Sequence, residues 1–523
     1  MRKPLTLIVF LAATSAFAQS LTEKIDVSLV NVDVTVTSHG AAARGLTRDD
    51  FQVFEDGLAQ PITNFFAVEP ALKANRNTTV AATPDVTIAD PTDERFRRKV
   101  LVIVDNRHVT MHNRDRALAA LERFVDDRFT GGTYDWSIAL VSDKAHLMLP
   151  LTSDKEKLHA AVAAVRRIVA NPDHLSEEDL SRVATVSAFD AAEPAKNFKY
   201  GTAAGETARA MVDYATEVQI ESDAAETVSA IRDAVRSFSG APGRKIILLI
   251  TGSLGLDGAM NPLDANQGSF LNGPFFVGQS NAWLNVMRDL LIHEANASNV
   301  SFYIVNSEGV GLGGASMYWI ARETGGRLIP GNFVERSFDE FDRASSSFYS
   351  LAYKPAHGDD GKYHSIKVKM KRSGYQLQYR TGYSSVPVTV QLARAMGSSL
   401  AVSMQQSSIP IDIVTGASAP KDGGVLVPLH ATVPAKNLQF IPTNDGSVAR
   451  IDLYVSVFDD RGRMITRNHF TREAHAANGT ESDGNFVETS QLLVKRGVPY
   501  RVVVAVHDQV TDAIGIKSQT VRF

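Results

Sequence analysis

The chain contains no cysteine. Disulfides, thiolate nucleophiles, iron–sulfur clusters and cysteine-type zinc sites are therefore excluded, and its domains must be held by core burial alone. It also lacks an excess of charge of either sign. Its 54 Lys and Arg stand against 58 Asp and Glu, a formal net charge of −4. Non-specific nucleic-acid binding needs a strongly basic face, so nucleic acid is not an expected partner. Beyond the first twenty residues no run of about 18 uncharged apolar residues occurs, and no transmembrane segment is expected in the mature chain. What is present is 523 residues, 44% of them apolar. At roughly 100–200 residues per domain, that is enough for two to four domains.

The opening segment, MRKPLTLIVFLAATSAFAQS, sets the compartment. Arg2 and Lys3 form a basic start, Leu5 to Ala13 an apolar stretch, and Ala16-Phe17-Ala18 an A-x-A cleavage site. This pattern predicts a signal peptide over 1–18, cleaved after Ala18, and a secreted or periplasmic protein. The apolar run is too short to cross a bilayer, and no cysteine follows it to carry a lipid.

Residues 25–69 read as β-structure. Ile25 to Val36 alternates with period two over much of its length, and Asp56-Gly57 is a hairpin signal. Residues 70–96, rich in Ala, Thr, Pro and Asp, read as a linker. From residue 97 the pattern changes to alternating strand and helix. Lys99–Asp105, Trp136–Ser142, Arg244–Thr251 and Val300–Asn306 are expected strands, mostly continuous apolar runs suited to burial on both faces. Helices are expected near 113–129, after a capping box at Ser153–Glu156, over 203–239, from Trp283 to Ala295, and from Ser316 to Thr324. The 203–239 pattern would make a helix roughly 50 Å long. Residues 252–279 read as a long loop. Together these elements predict a mainly parallel, doubly wound sheet over 97–335.

Residues 346–383 return to β-structure. With 25–69 they total enough chain for one small β-domain, which would make the α/β part an insertion; the alternative is two separate β-elements docked on it. Residues 386–523 hold about eight strand-like runs and predict an immunoglobulin-like β-sandwich.

The segments Val102-Ile103-Val104-Asp105, Gly243–Thr251 and Val300–Val305 resemble those of a von Willebrand factor A (vWA) domain. The flanks GLTRDDFQVFEDGLAQPITNFF (45–66), ARETGGRLI (321–329) and FYSLAYKP…GKYHSIKVKMKRSGYQLQYRTGY (348–383) resemble the VWFA-related family common in acidobacteria. The resemblance spans roughly residues 25–383. It implies a secreted protein with a Rossmann-like vWA fold and brings no settled biochemical role.

Ligand-binding vWA domains usually hold Mg²⁺ with Asp-x-Ser-x-Ser after the first strand plus a Thr and an Asp from later loops, the metal-ion-dependent adhesion site (MIDAS). Here the first loop reads Asp105-Asn106-Arg107-His108-Val109-Thr110 and the later one Thr251-Gly252-Ser253-Leu254. Asp105 is retained as a remnant, but Arg107 and Val109 stand at the serine positions and Gly252 in the register of the second Asp. A hard ion needs oxygen ligands, so neither Mg²⁺ nor any other cofactor is expected. Two readings remain for this loop: Asp105 is satisfied by neighbouring backbone N–H groups, or Arg107 replaces the cation and pairs with Asp105 or an incoming carboxylate. Asp257 is a substitute carboxylate whose position the sequence does not fix.

Other motifs carry less. Gly309-Val310-Gly311-Leu312-Gly313-Gly314 matches G-x-G-x-x-G, but on a strand late in the domain. It reads as a strand-to-helix crossover whose helix N-terminus can accept a carboxylate or phosphate. His293-Glu294 begins like H-E-x-x-H, but residue 297 is Ala. The 13 histidines show no helical metal spacing. Asp459-Asp460-Arg461-Gly462 reads as a hairpin turn. Tyr318-Trp319 and Phe275-Phe276 are candidate exposed anchors, although the first pair reads first as packing of helix to sheet.

The expected function is non-catalytic binding or adhesion, in which the vWA-like top face recognises a protein or extracellular polymer. The candidate residues are Asp105, Asn106, Arg107, His108, Thr110, Thr251, Ser253 and Asp257, at the carboxyl ends of the strands. The alternative is a structural or assembly scaffold of the cell envelope with contacts made by the β-sandwiches. A hydrolase using a carboxylate of the 252–279 loop is a third reading.

Overall fold

A computed structural model describes residues 29–69, 87–93, 96–128, 132–142, 144–169, 221–238, 243–256, 274–307, 314–331, 334–358, 360–398, 409–421, 423–443, 446–460, 463–477, 484–511 and 513–522. The expected signal peptide, residues 70–86 of the linker, residues 203–220 of the long helix, Asp257 and glycines 309–313 lie outside the described residues.

The chain first forms β1 (Val30–Ser38), β2 (Ala41–Ala42), β3 (Phe51–Glu55), β4 (Leu58–Gln60), β5 (Ile62–Val68) and β6 (Thr87–Ala89). Alternation in β1 buries Val30, Val32, Val34 and Val36. Asp56 and Gly57 adopt φ of 48° and 85°, the left-handed pair that the two-residue β3–β4 hairpin demands. β6 corrects the linker reading: residues 87–89 pair in parallel with β5, Phe66 opposite Thr87.

The α/β layer follows. It comprises β7 (Arg98–Asp105), α1 (Met111–Arg128), β8 (Tyr134–Val141), β9 (Ala145–Thr152), α2 (Lys155–Arg167) and α3 (221–237). It continues with β10 (Arg244–Thr251), α4 (Pro274–Ala297), β11 (Val300–Asn306), α5 (Gly314–Glu323), β12 (Arg327–Pro330) and α6 (Val334–Ser345). The sheet order is β12-β11-β10-β7-β8-β9. All neighbours are parallel except β9, which runs antiparallel to β8 at the edge. The chain thus winds outward from β7 in both directions, the doubly wound order of an open α/β sheet.

The apolar runs are explained by two-sided burial. Val100, Val102 and Val104 of β7 join one core with Leu118 and Leu121 of α1, Val162 of α2 and Phe338 and Phe341 of α6. Leu101 and Ile103 join a second core on the opposite face with Val228 and Ile231 of α3, Leu291 of α4 and Ile320 of α5.

Several local expectations need correction. The cap of α2 is Asp154, which accepts hydrogen bonds from Glu156 N and Lys157 N, rather than a box built on Ser153. The edge strands β9 and β12 are too short or too half-exposed to stand out by periodicity. α4 starts at Pro274, so the end of the stretch read as a loop over 252–279, including the backbone of Phe275-Phe276, is helical. α6 carries the α/β layer to Ser345, past residue 335, because Val334, Phe338 and Phe341 fall on one face and fill the first core.

Beyond it run β13 (Phe348–Tyr353), β14 (Tyr363–Met370), β15 (Gln376–Gln378) and β16 (Gly382–Ser384). β1 lies between β13 and β15, β13 also pairs with β5, and β14 pairs with β3 and β16. Val32, Val34, Phe51, Val53, Leu351, Tyr353, Ile366 and Val368 share one core. Strands from before and after the α/β layer therefore build a common β-module.

The last part opens with a helix, α7 (Val388–Gly397), where strands alone were expected. Its Leu392 and Met396 pack on Tyr454 and Val503. Then come β17 (Asp412–Thr415), β18 (Ala419–Lys421), β19 (Gly424–Pro434), β20 (Ile441–Thr443), β21 (Gly446–Phe458), β22 (Met464–Ala476), β23 (Asn485–Val494), β24 (Pro499–Asp508) and β25 (Ile514–Arg522). They form two antiparallel sheets, one around β19 and one around β21 and β24. Val427, Leu429, Ile451, Leu453, Val502 and Val504 from both sheets meet in one core. Asp459 closes the β21–β22 turn by accepting from Arg463 N at 2.8 Å. Among the described residues no helix is long and apolar enough to cross a membrane.

Candidate functional site

β7 ends at Asp105, on the edge of the parallel sheet where open α/β folds place ligands. The Asp105 side chain is fully buried. Its Oδ1 accepts from Arg107 N at 3.1 Å. Its Oδ2 accepts from the Thr251 hydroxyl at 2.7 Å and contacts His108 Nδ1 at 2.9 Å. Burial by itself would push this carboxyl up. The His108 charge and the hydrogen bonds from His108, Thr251 and Arg107 N outweigh it and hold Asp105 below its ordinary value. For His108, burial favours the neutral ring and Arg107 opposes its charge, but the Asp105 carboxylate prevails and the imidazole is raised above its ordinary value. Each side chain therefore favours the charged form of the other, with His108 Nδ1 donating to the carboxylate.

Of the two readings of this loop, the Arg107–Asp105 side-chain pairing is not what the structure contains. The Arg107 guanidinium turns to α3, where Nη1 donates to Glu226 Oε2 at 2.7 Å and Nη2 to Asp223 Oδ1 at 2.8 Å. Nη1 also donates to the Ser142 carbonyl at 3.0 Å. The physical reason is local. The Arg107 backbone N–H closes a turn onto Asp105, which sends its own side chain away and brings the residue after it onto the carboxylate. The backbone reading of Asp105 is thus part of the answer, and His108 completes it.

The remaining candidates divide by role. Thr251 joins Asp105 and His108, and its hydroxyl also contacts the Ser253 carbonyl at 2.6 Å. Ser253 Oγ accepts from Gly255 N at 3.1 Å and shapes the loop after β10. Asn106 faces inward: its Oδ1 accepts from Arg114 Nη1 at 2.7 Å and its Nδ2 donates to the Val169 carbonyl. Arg114, itself fully buried, reaches the Ile168 carbonyl at 2.8 Å, so this pair ties β7 and α1 to the end of α2. The Thr110 hydroxyl accepts from Asn113 N at 3.4 Å at the start of α1. Sequence reasoning missed Ser307, whose N–H and hydroxyl both donate to the Thr251 carbonyl. It also missed Asp223 and Glu226, whose acidic i, i+3 spacing on a helix was the available signal.

The donor set does not fit a hexacoordinate Mg²⁺ ion. Asp105 is engaged by three protein donors. Of the positions that carry serines in the metal-binding pattern, Arg107 is paired with α3 and Val109 is buried and apolar. Such an ion needs several oxygen ligands and keeps its waters.

No protein-family model matches the chain, and no curated protein matches it. Solved structures with some likeness include an aerotolerance-related membrane protein from Bacteroides fragilis, 14% identical over 47% of this chain and 98% of that one, with a TM-score of 0.26. A von Willebrand factor type A protein from Catenulispora acidiphila is 11% identical over 81% of this chain and 66% of that one, with a TM-score of 0.24. Proximal thread matrix protein 1 from the mussel byssus, with a zinc-occupied MIDAS motif, is 12% identical over 50% of this chain and 48% of that one, with a TM-score of 0.24. This chain spans about half of the mussel protein. At these scores the α/β assignment rests on the strand order of the chain itself.

Proposed function

We propose that the chain is a secreted or periplasmic, non-catalytic binding protein. Its vWA-like domain recognises a protein or extracellular polymer through the loops at the carboxyl end of the sheet, and does so without a metal ion at a degenerate MIDAS. The carrying observation is the His108–Asp105 contact at 2.9 Å, completed by Thr251 at 2.7 Å. The His108 imidazole stands beside the carboxylate that would otherwise face a metal. The Thr251 hydroxyl contacts the carboxylate and a backbone carbonyl, an arrangement that ties the ends of β7 and β10 together.

The test is calorimetric titration of the metal-stripped mature protein with Mg²⁺ and Ca²⁺. No saturable heat from the Asp105 site is expected. Saturable binding that disappears in Asp105→Ala would overturn metal independence. Loss of envelope-polymer capture in Arg107→Ala would support recognition at this face.

A scaffold reading is favoured by one feature of the C-terminal part. β22 runs for 13 residues without one buried side chain. Met464 and Ile465 are exposed on it. Capture that survives Arg107→Ala and is lost when residues 386–523 are removed would move the binding function there.

A further inference from the structure

The β-module contains another histidine–carboxylate cluster, formed by the connection between β13 and β14 and the start of β14. We propose that His357, Asp360 and His364 form a binding site for a divalent transition-metal ion of the zinc type. The residues follow His-x-x-Asp-x-x-x-His spacing, and one ligand atom from each lies within 4.8 Å of the others. His364 Nε2 is 3.0 Å from Asp360 Oδ1. The two imidazoles stack with centroids 3.8 Å apart. Two imidazole nitrogens and one carboxylate oxygen are a donor set that suits Zn²⁺ and its neighbours rather than Mg²⁺ or Ca²⁺.

A separate observation comes from the β3–β4 hairpin. Asp56 Oδ2 lies 2.7 Å from His364 Nδ1. Asp56 Oδ1 is itself fixed by Ser365 N at 2.8 Å and by the Ser365 hydroxyl at 3.0 Å. A carboxylate receiving the Nδ1 proton leaves Nε2 as the nitrogen that faces Asp360. This is the outer-shell partner that orients a metal-bound histidine and raises its basicity. His364 is buried, so its ring is held in place. Behind His357 stands a further carboxylate. Glu55 Oε1 is 3.6 Å from His357 Nε2 and accepts from the Tyr353 and Tyr383 hydroxyls at 2.9 and 2.5 Å.

The carboxylates around the cluster favour a cation. Asp56, Asp360 and Glu55 face the two imidazoles; of the cations, Lys362 holds Asp360 through its N–H at 3.0 Å and its Nζ at 3.4 Å on the exposed side, and Arg380 lies beyond the Tyr383 ring. A tetrahedral ion with bonds near 2.1 Å separates adjacent ligand atoms by roughly 3.4 Å. The His364–Asp360 separation already lies within half an ångström of that. His357, on the loop and partly exposed, must tilt out of its stack so that its lone pair converges on the ion. Its Nδ1 contact to Gly358 O at 2.8 Å and its Nε2 contact to the Tyr383 hydroxyl at 3.2 Å set its present orientation. Three protein ligands leave a fourth position for water or for a carboxylate of a binding partner.

The experiment is titration of the full mature chain, stripped with chelator, with Zn²⁺ by calorimetry at neutral pH, with Co²⁺ as a spectroscopic probe. One saturable Zn²⁺ site per chain is expected, together with the visible absorption of tetrahedral Co²⁺. Asp360→Ala and His357→Ala, both at accessible positions, should each weaken binding by about tenfold or more and abolish the tetrahedral Co²⁺ spectrum. Asp56→Asn should weaken it by roughly 10–100-fold while leaving the ligands in place. His475→Ala, an exposed histidine elsewhere, should leave it unchanged. Absence of saturable Zn²⁺ binding, or affinity unchanged in Asp360→Ala and His357→Ala, overturns the assignment. Mg²⁺ and Ca²⁺ at the Asp105 site are read in separate titrations, so either proposal can fail alone.

Discussion

Asp105 and Asp360 each hold a histidine at hydrogen-bond distance, His108 at 2.9 Å and His364 at 3.0 Å. Their surroundings differ. Asp105 sits at a strand end with no exposed surface, and three donors from two loops converge on it. Asp360 sits in a turn with its side chain about a quarter exposed, beside a second imidazole and backed by two more carboxylates. Asp360 is also held by protein donors, Lys362 N at 3.0 Å and Lys362 Nζ at 3.4 Å among them. What separates the two is exposure: the first carboxylate is closed off from solvent, and the second keeps a side that a ligand can reach.

The largest expected effect breaks the closed cluster. Asp105→Ala leaves the largely enclosed His108 without its partner carboxylate and should cost about 3–5 kcal/mol, read as a lower urea midpoint. Asp360→Ala should lower that midpoint far less in the absence of metal. Equal losses would erase the distinction drawn between them. Next in size, Zn²⁺ at about 100 times its dissociation constant should stabilise the wild type by about 2.7 kcal/mol. Asp360→Ala should show no such gain, and a gain of the same size in that variant would place the ion elsewhere.

A smaller effect follows from pH. The folded His108 value lies above 6.5 because the Asp105 charge overrides burial. Its contribution is complete below 6.5 and is lost as pH rises through the raised value. The folded Asp105 value lies below 3.8. Its contribution is complete above 3.8 and is lost as pH falls through the lowered value. Urea midpoints should therefore decline as pH is taken upward from 6.5, and His108→Gln should flatten that decline. If it stays as steep, the titrating group is His364, which Asp56 and Asp360 also raise despite burial. The smallest effect belongs to Glu226→Gln. Its side chain is 54% exposed where it meets Arg107, so the loss should stay under about 1 kcal/mol. A larger loss would make α3 part of the closed cluster rather than its outer wall.

Legibility followed burial. β7, β10 and β11 stand out in the sequence because both of their faces are covered, so an apolar run fills the middle of each strand. β9 and β12, at the sheet edges, leave no such run. α6 carries its signal as Val334, Phe338 and Phe341 among acidic and polar residues, and only the groove beside α1 shows what that face is for. In the site, Asp105 and Thr251 were legible as strand-end residues. The partner of Asp105 was not, because a sequence shows which charges are near in the chain and not which way a turn points them. Arg107 and His108 are adjacent, and one faces α3 while the other faces the carboxylate.

By itself the sequence determined the compartment expectation, the exclusion of thiol chemistry and the α/β character of the middle of the chain. Each of these follows from residue types and short-range period. The tertiary structure alone decided the register of Val30 opposite Tyr353 and the meeting of Asp56, from one hairpin, with His364, more than 300 residues later. The reason is physical. Period tells which face of a strand is buried, but the partner of a face or of a charge is set by packing between segments that local pattern does not connect.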